Sequence, residues 1–223
     1  MYKVIVFDAY GTLFDTSSVK EKLDEYAGNK SEAVSKLWRN TQLKHTFLRQ
    51  VMGRYITFDD ITKQALEYAL EQNKVPYNHQ DINTIFDEYL KLDLFKEVPN
   101  ALKSLLDLQK KLSVFSNGSM DMLDPVIENA GISDRLDSII SANDIKQYKP
   151  SQASYALVLK YYPVKRDEVL FVSSNTWDIS GAANFGFDTA WVNRNQNIFD
   201  KNGPLPKITV QDLDELVHWL KLN

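Results

Sequence analysis

Asp8 stands at the end of a short apolar run, Val4-Ile5-Val6-Phe7, and is followed by Tyr10, Gly11 and Thr12. Ser116-Asn117-Gly118 comes after a second run, Leu112-Ser113-Val114-Phe115. Ser173-Ser174-Asn175, with Asp178 close behind, comes after another, Val169-Leu170-Phe171-Val172. Lys149-Pro150 lies in the loop beyond Ser138-Ile139-Ile140. Together these residues supply two carboxylates, one cation and several small hydroxyl or amide donors. A carboxylate can attack a substrate or carry a proton, and a cation within about 4–6 Å lowers its pKa and keeps it ionised. The chemistry is therefore nucleophilic or acid–base, provided that one fold gathers the pieces.

The apolar runs are rich in branched and aromatic residues and read as buried strands. Helices are predicted between them: over about 100–110 following Pro99, from near Asp124-Pro125 to Gly131, after Pro150, and up to Gly186. Proline suits a first helical turn and glycine a helix end, which sets those limits. A strand at Thr189-Ala190-Trp191-Val192 follows, then a long loop over 195–206 and a terminal helix carrying Leu213, Leu216, Val217 and Leu220. This alternation implies an α/β fold, a Rossmann-like parallel sheet with helices on both faces. Ligands bind such sheets beyond the carboxyl ends of the strands, which puts every candidate at one edge.

Residues 16–93 read differently. Val34 and Trp38, then Leu43, Phe47 and Val51, mark a long helix. Ile61, Ala65, Tyr68 and Ala69 mark another after Thr57-Phe58-Asp59-Asp60, which has the form of a capping box; Ile82, Ile85, Phe86, Tyr89 and Leu90 mark a third. No strand is predicted there. The expected organisation is a core of residues 1–15 and 94–223 with a helical cap, 16–93, inserted after the first strand.

The 223 residues are 43% hydrophobic, enough to bury a core. With 26 Lys+Arg against 30 Asp+Glu and a net charge of −4, no basic stripe for nucleic acid is expected. Cysteine is absent, which excludes disulfides, thiolate zinc sites and a cysteine nucleophile and fits a cytoplasmic location. No run approaches the ~20 apolar residues of a membrane span, and residues 1–7 lack the features of a signal peptide. There is no G-x-G-x-x-G or Walker loop; Gly28-Asn29-Lys30-Ser31 is a fragment that reads as a helix start. His45, His79 and His218 are scattered, and none falls at a strand end.

Phe7-Asp8-Ala9-Tyr10-Gly11-Thr12-Leu13-Phe14-Asp15 resembles the first motif of the haloacid dehalogenase superfamily. Ser116-Asn117 resembles the second, Lys149-Pro150 the third, and Ser173-Ser174-Asn175-Thr176-Trp177-Asp178 the fourth. The likeness extends to the L-2-haloacid dehalogenase branch through Arg39, Gln42, Leu43, Arg49, Met52-Gly53-Arg54-Tyr55 and Phe58, and through Asn184-Phe185-Gly186-Phe187 and Trp191-Val192-Asn193-Arg194. Phosphatases of the superfamily place a second Asp where this chain has Tyr10. Tyrosine, with a reference pKa near 10, cannot shuttle a proton at neutral pH. A halide leaves without a proton and needs no such acid. Ser174 and Asn175 are neutral where phosphatases carry a magnesium-binding acid, and a Mg²⁺ site wants carboxylates. The resemblance therefore implies metal-free, cofactor-free hydrolysis of a small 2-haloacid.

It also implies roles. Asp8 is the expected nucleophile, held ionised by Lys149, with Thr12 fixing its carboxylate. Ser116 and backbone amides near Tyr10 and Asn117 would hold the substrate carboxylate, and Arg39, Asn117 and Trp177 the departing halide. Tyr10, Gln42, Leu43 and Phe58 would wall the pocket. Asp178, Asn175 and Ser173 would activate the water that hydrolyses the ester, with Tyr155 bonded into that network. The expected partners are a small-molecule haloacid and halide, in a homodimer. The rivals are a Mg²⁺-dependent phosphatase on the same fold and a non-catalytic binding module.

Overall fold

Val4, Ile5, Val6 and Phe7 are all fully buried and form β1 (Val4–Phe7). Side chains alternate along a strand, so Ile5 and Phe7 face one side and Val4 and Val6 the other. Ile5 and Phe7 pack in a cluster with Leu102 and Leu105 of α5 (Val98–Asp107), Met122 and Val126 of α6 (Met120–Asn129) and Leu216 of α9 (Leu213–Leu222). Val4 and Val6 pack with Tyr155 and Val158 of α7 (Gln152–Tyr161) and Ala182 of α8 (Thr176–Phe185). Each such side chain contributes about 1.5–3 kcal/mol through burial, which is why a four-residue strand can anchor the sheet.

The computed structural model describes residues 1–222. β1 lies in a six-stranded sheet with β2 (Lys111–Ser116), β3 (Ser138–Ser141), β4 (Val169–Ser173), β5 (Asp188–Val192) and β6 (Ile208–Val210). The order is β3-β2-β1-β4-β5-β6 and every neighbouring pair is parallel. Phe7 is in register with Val114 on one side and Val172 on the other. β1 thus sits where the strand order reverses, and Asp8 lies just past its end, at the crevice such sheets use for ligands.

Between β1 and α5 the regular elements are helical: α1 (Ser17–Ala27), a 3₁₀ turn (Gly28–Lys30), α2 (Ser31–Met52), α3 (Phe58–Gln72), α4 (His79–Phe86) and a second 3₁₀ turn (Asp87–Leu90). Trp38 of α2 is buried against the ring of Tyr89 at 5.6 Å and donates to the Thr62 carbonyl of α3 at 2.8 Å. Two crossing segments tie this insertion to the sheet, Asp15 N–H to the Asp93 carbonyl (2.8 Å) and Phe95 N–H to the Leu13 carbonyl (3.0 Å). No helix among the described residues is long and apolar enough to cross a membrane.

Several expectations need correction. α6 begins at Met120, so Pro125 lies inside it. Proline lacks an N–H and leaves the Asp121 carbonyl without its helical donor, but Met122, Leu123, Val126 and Ile127 are buried on the same helix and outweigh that loss. Pro99 is the second residue of α5, not the first. β6 was not foreseen; it follows the predicted loop directly and is only three residues long. In α2 the buried face is Val34, Trp38, Thr41, Gln42 and Thr46, and Val51 is exposed. Thr57 caps α3 by accepting from the Asp60 N–H, while the reciprocal box forms instead at Asn78 and Asp81 of α4.

Candidate active site

Asp8 is buried, and its two oxygens are treated differently. Oδ2 accepts from Asn175 Nδ2 (2.9 Å), Thr12 Oγ1 (3.1 Å) and Ser173 Oγ (3.3 Å). Oδ1 accepts only from Lys149 Nζ, at 2.9 Å. Thr12 comes from the turn after β1, Ser173 ends β4, and Asn175 holds the N-cap position of α8. Asn175 does not cap that helix with its side chain; its amide is turned to Asp8 instead.

Lys149 is almost wholly buried, and all three of its N–H donors are used: on Asp8, on Asp178 Oδ2 at 2.6 Å and on the Phe115 carbonyl at 3.0 Å. Its backbone is clipped by Asn117, whose Oδ1 accepts from the Lys149 N–H (2.8 Å) and whose Nδ2 donates to the Lys149 carbonyl (3.4 Å). Burial alone would lower the Lys149 pKa, but Asp178 and Asp8 prevail and hold it above its ordinary value. Asp178 is fully buried, and its Oδ1 accepts from Tyr155 Oη at 2.7 Å. Burial pushes Asp178 up to about 6, opposed by Lys149 and reinforced by Asp8. Gly181 leaves room for this Tyr155 contact, since a Cβ there would lie 2.5 Å from the hydroxyl.

Above Asp8 is a small pocket of about 30 Å³. Asp8, Lys149 and Asn175 form its floor, Tyr10, Leu43 and Phe58 one wall, and Ser116, Asn117, Arg39 and Trp177 the remainder. Trp177 Nε1 and Tyr10 Oη are buried without a hydrogen-bond partner among the described residues. Burial, then Tyr89, Asp59 and Asp8, push the Tyr10 phenol well above its ordinary pKa, so it stays protonated and can only donate to an anion. Ser116 Oγ accepts from the Gly118 N–H (3.1 Å), which leaves its own proton for a ligand. Arg39 Nη2 donates to Asn175 Oδ1 at 2.9 Å.

Ten of the fifteen expected site residues line this pocket. Thr12, Ser173 and Asp178 sit behind it, bonded to Asp8 or Lys149. Two lie apart from it. Gln42, contrary to expectation, is buried between helices, donating to Thr62 Oγ1 at 2.7 Å, and is not part of the wall. Tyr155 donates to Asp178 and joins the network expected for it without lining the pocket. Arg194 was given no role in advance. Its guanidinium stacks on Phe95 at 3.7 Å, pairs with Glu97 at 2.7 Å and donates to the Thr12 carbonyl at 2.9 Å, so it braces the turn that carries Thr12. A lone arginine after a strand gives no signal of this; its partners are distant in sequence. Asp59 also went unremarked: it accepts from Ser119 Oγ at 2.8 Å and joins α3 to the start of α6.

Residues 2–186 match the family of haloacid dehalogenase-like hydrolases. The chain belongs to that family. It is 38% identical to haloacetate dehalogenase H-2 of Moraxella sp. (strain B) over 218 residues, 98% of this chain and 97% of that one. It is 39% identical to the (S)-2-haloacid dehalogenase of Pseudomonas sp. (strain YL) over 215 residues, 96% and 93% of the two chains. Among solved structures, the L-2-haloacid dehalogenase of Xanthobacter autotrophicus with chloropropionic acid covalently bound superposes with a TM-score of 0.94 at 32% identity, covering 99% of each chain. The family resemblance read from the four motifs therefore holds over nearly the whole length, and the six-stranded parallel sheet is the family's fold.

Proposed function

We propose that the protein hydrolyses the carbon–halogen bond of short L-2-haloalkanoates to D-2-hydroxy acids, through an ester on Asp8 and without a metal ion. One observation carries this reading: Asp8 Oδ1 keeps a free lone pair in a small pocket that also holds Arg39 and the unpartnered Trp177 N–H. Oδ1 attacks the α-carbon while the Lys149 ammonium, 2.9 Å away, holds the carboxylate in place. Halide leaves toward Arg39, Trp177 and the second N–H of Asn117; a diffuse guanidinium suits a large, weakly hydrated anion. Ser116 and the backbone amides near Tyr10 and Asn117 hold the substrate carboxylate. Attack opposite the halide inverts the carbon.

In the ester, Oδ2 becomes the carbonyl oxygen. Thr12, Ser173 and Asn175 already point three donors at it, and these stabilise the charge that grows there when water adds. Asp178 is the base for that water, since each of its oxygens keeps a lone pair beyond the bonds to Lys149 and Tyr155. With all three groups ionised, Asp8, Lys149 and Asp178 sum to −1, and an incoming carboxylate adds another negative charge. Arg39 supplies the compensating positive charge. Tyr10 stands where a phosphatase needs its acid, and Ser174 bonds to the Gly11 carbonyl and the Thr12 hydroxyl instead of offering a carboxylate.

The deciding experiment is halide release from L-2-chloropropionate after exhaustive chelation. Undiminished release of chloride is expected; a strict Mg²⁺ requirement, or phosphate release from a phosphate ester, would defeat the reading. A second measurement addresses Asp178. Its ionised form is the base, so turnover falls as pH drops through about 6. The Tyr155 hydrogen bond stabilises that ionised form, and Tyr155→Phe should move this acid limb upward in pH. An unmoved limb would remove Asp178 from the role. Tyr10→Phe tests the orphan phenol. Without substrate the buried hydroxyl is unpaired, so its loss should leave stability unchanged or raise it. With substrate it donates to the carboxylate, so KM should rise about tenfold, the worth of about one hydrogen bond. Equal KM values would return Tyr10 to a purely apolar wall.

Residues 16–93 act as the cap in this scheme, with 1–15 and 94–223 as the core; the crossing bonds at Asp15 and Phe95 mark the joint. A cytoplasmic homodimer completes it. Leu48, Val51 and Met52, exposed near the end of α2, offer an apolar face for such pairing, and sedimentation velocity measures it.

A further inference from the structure

The pocket above Asp8 has little free space, about 30 Å³, room for a water or two. Beside it is an outer cavity of about 540 Å³. Asn193, Asn195 and Asn197 line it with Arg194 and Asp15, and Glu97 pairs with Arg194, so the asparagine amides would solvate an anion there without trapping it. Arg39 and Asn175 line both cavities, and no other residue does. They are bonded to each other across the boundary at 2.9 Å. Arg39 is exposed and forms no salt bridge among the described residues, so this single hydrogen bond is what holds its guanidinium in place.

We infer that the outer cavity is the antechamber of the reaction pocket, taking the 2-haloalkanoate anion from solvent, and that the Arg39–Asn175 pair parts to admit it. The inference rests on the haloacid reading above. The exchange is chemically even: the guanidinium gives up the Asn175 carbonyl oxygen and takes the anion, so no N–H is left unpaired in transit. Asn175 meanwhile keeps its Nδ2 on Asp8. The competing path is a cavity of about 330 Å³ lined by Lys20, Glu32, Ser35 and Lys36, which meets the pocket at Arg39 and Leu43. It is smaller, and although Glu32 pairs with Lys20, Lys36 there has no carboxylate partner among the described residues and would hold an anion rather than pass it.

A corridor affects rates, not affinity. Binding of bromoacetate to the Asp8→Asn protein, followed by stopped-flow tryptophan fluorescence, separates the two. Asn195→Phe in that background should slow association and dissociation together, by about tenfold, and leave Kd unchanged. Asn197→Phe should act likewise, and Ser35→Phe should change neither rate. With Asp8 intact, Asn195→Phe should leave the saturated single-turnover rate on bromoacetate alone. Unchanged rates in both asparagine variants, slowing in Ser35→Phe, or a weaker Kd with unchanged association would overturn the inference. Failure of the unsubstituted protein to release bromide from bromoacetate would instead strike the haloacid reading itself.

Discussion

Asp8→Asn should abolish halide release, with a loss on the order of 10⁶-fold, the scale of removing the nucleophile from an enzyme that works through a covalent intermediate. A neutral amide is a far weaker nucleophile than a carboxylate. The surroundings add a second fault. If the new NH₂ takes the Oδ2 position it meets the donors of Thr12, Ser173 and Asn175; if it takes the Oδ1 position it meets the Lys149 ammonium. Either way a donor faces a donor. An unchanged thermal midpoint would show that the loss is chemical. The companion measurement follows oxygen. In heavy-oxygen water with enzyme in excess, one turnover should give unlabelled hydroxy acid and one labelled oxygen on Asp8. Label in the first-turnover product would mean that water attacks carbon directly, and would take the nucleophile role from Asp8.

Lys149→Met should cost both folding and turnover. Removing the cation leaves Asp8 and Asp178 buried and facing each other without compensation, which costs about 3–5 kcal/mol for a broken buried pair. The protein can relieve this by protonating Asp178, which burial and Asp8 already push up and which loses the opposing Lys149. Such a group favours the folded state increasingly as pH falls from the folded value toward the unfolded value near 3.9. The stability deficit against the unsubstituted protein should therefore shrink as pH is lowered toward about 4. Halide release should stay negligible throughout, because no ammonium then positions the Asp8 carboxylate or offsets the charge that the substrate brings. Lys149→Arg should not rescue, since three acceptors and a fully packed site are fitted to a compact ammonium. A deficit that does not vary with pH, or a melting curve that matches the unsubstituted protein, would contradict this account.

How much of this was legible in the sequence follows from the reach of each signal. Five strands announced themselves through short runs of branched and aromatic residues, fully buried in β1 and β4 and mostly buried in β2 and β5; β3 is half-buried at its start. β6 did not, because three residues at a sheet edge with Thr209 exposed carry too little pattern. Pro125 misled, since the rule for proline is local and the packing that overrides it is not. The site was readable where a residue stands directly after a strand, as Asp8, Ser116 and Ser173 do. Arg39 was readable only through the family likeness, because a helix arginine beside Trp38 looks like any solvated one. Gln42 shows the limit of that likeness. It was expected in the pocket wall, but Thr62 satisfies it, and such a partner is fixed by helix packing that no short motif encodes. Tyr155 shows its reach, since it is bonded to Asp178 in the expected network. The Arg194 brace depends on the joint near Phe95 meeting the turn after β1, a long-range contact with no local trace.

The first turn of α8 bears on attempts to make the protein more heat-resistant. Asn175 occupies a helix-start position where its type normally satisfies a backbone N–H, and it has been drawn away to Asp8 and Arg39. A helix start without its side-chain cap forgoes about 1 kcal/mol. Asn175→Ser restores the short side chain that can cap and removes the amide that cannot do both jobs. Libraries screened only for melting temperature will therefore tend to enrich changes at this position, and the variants that score best there will be the ones that no longer turn over.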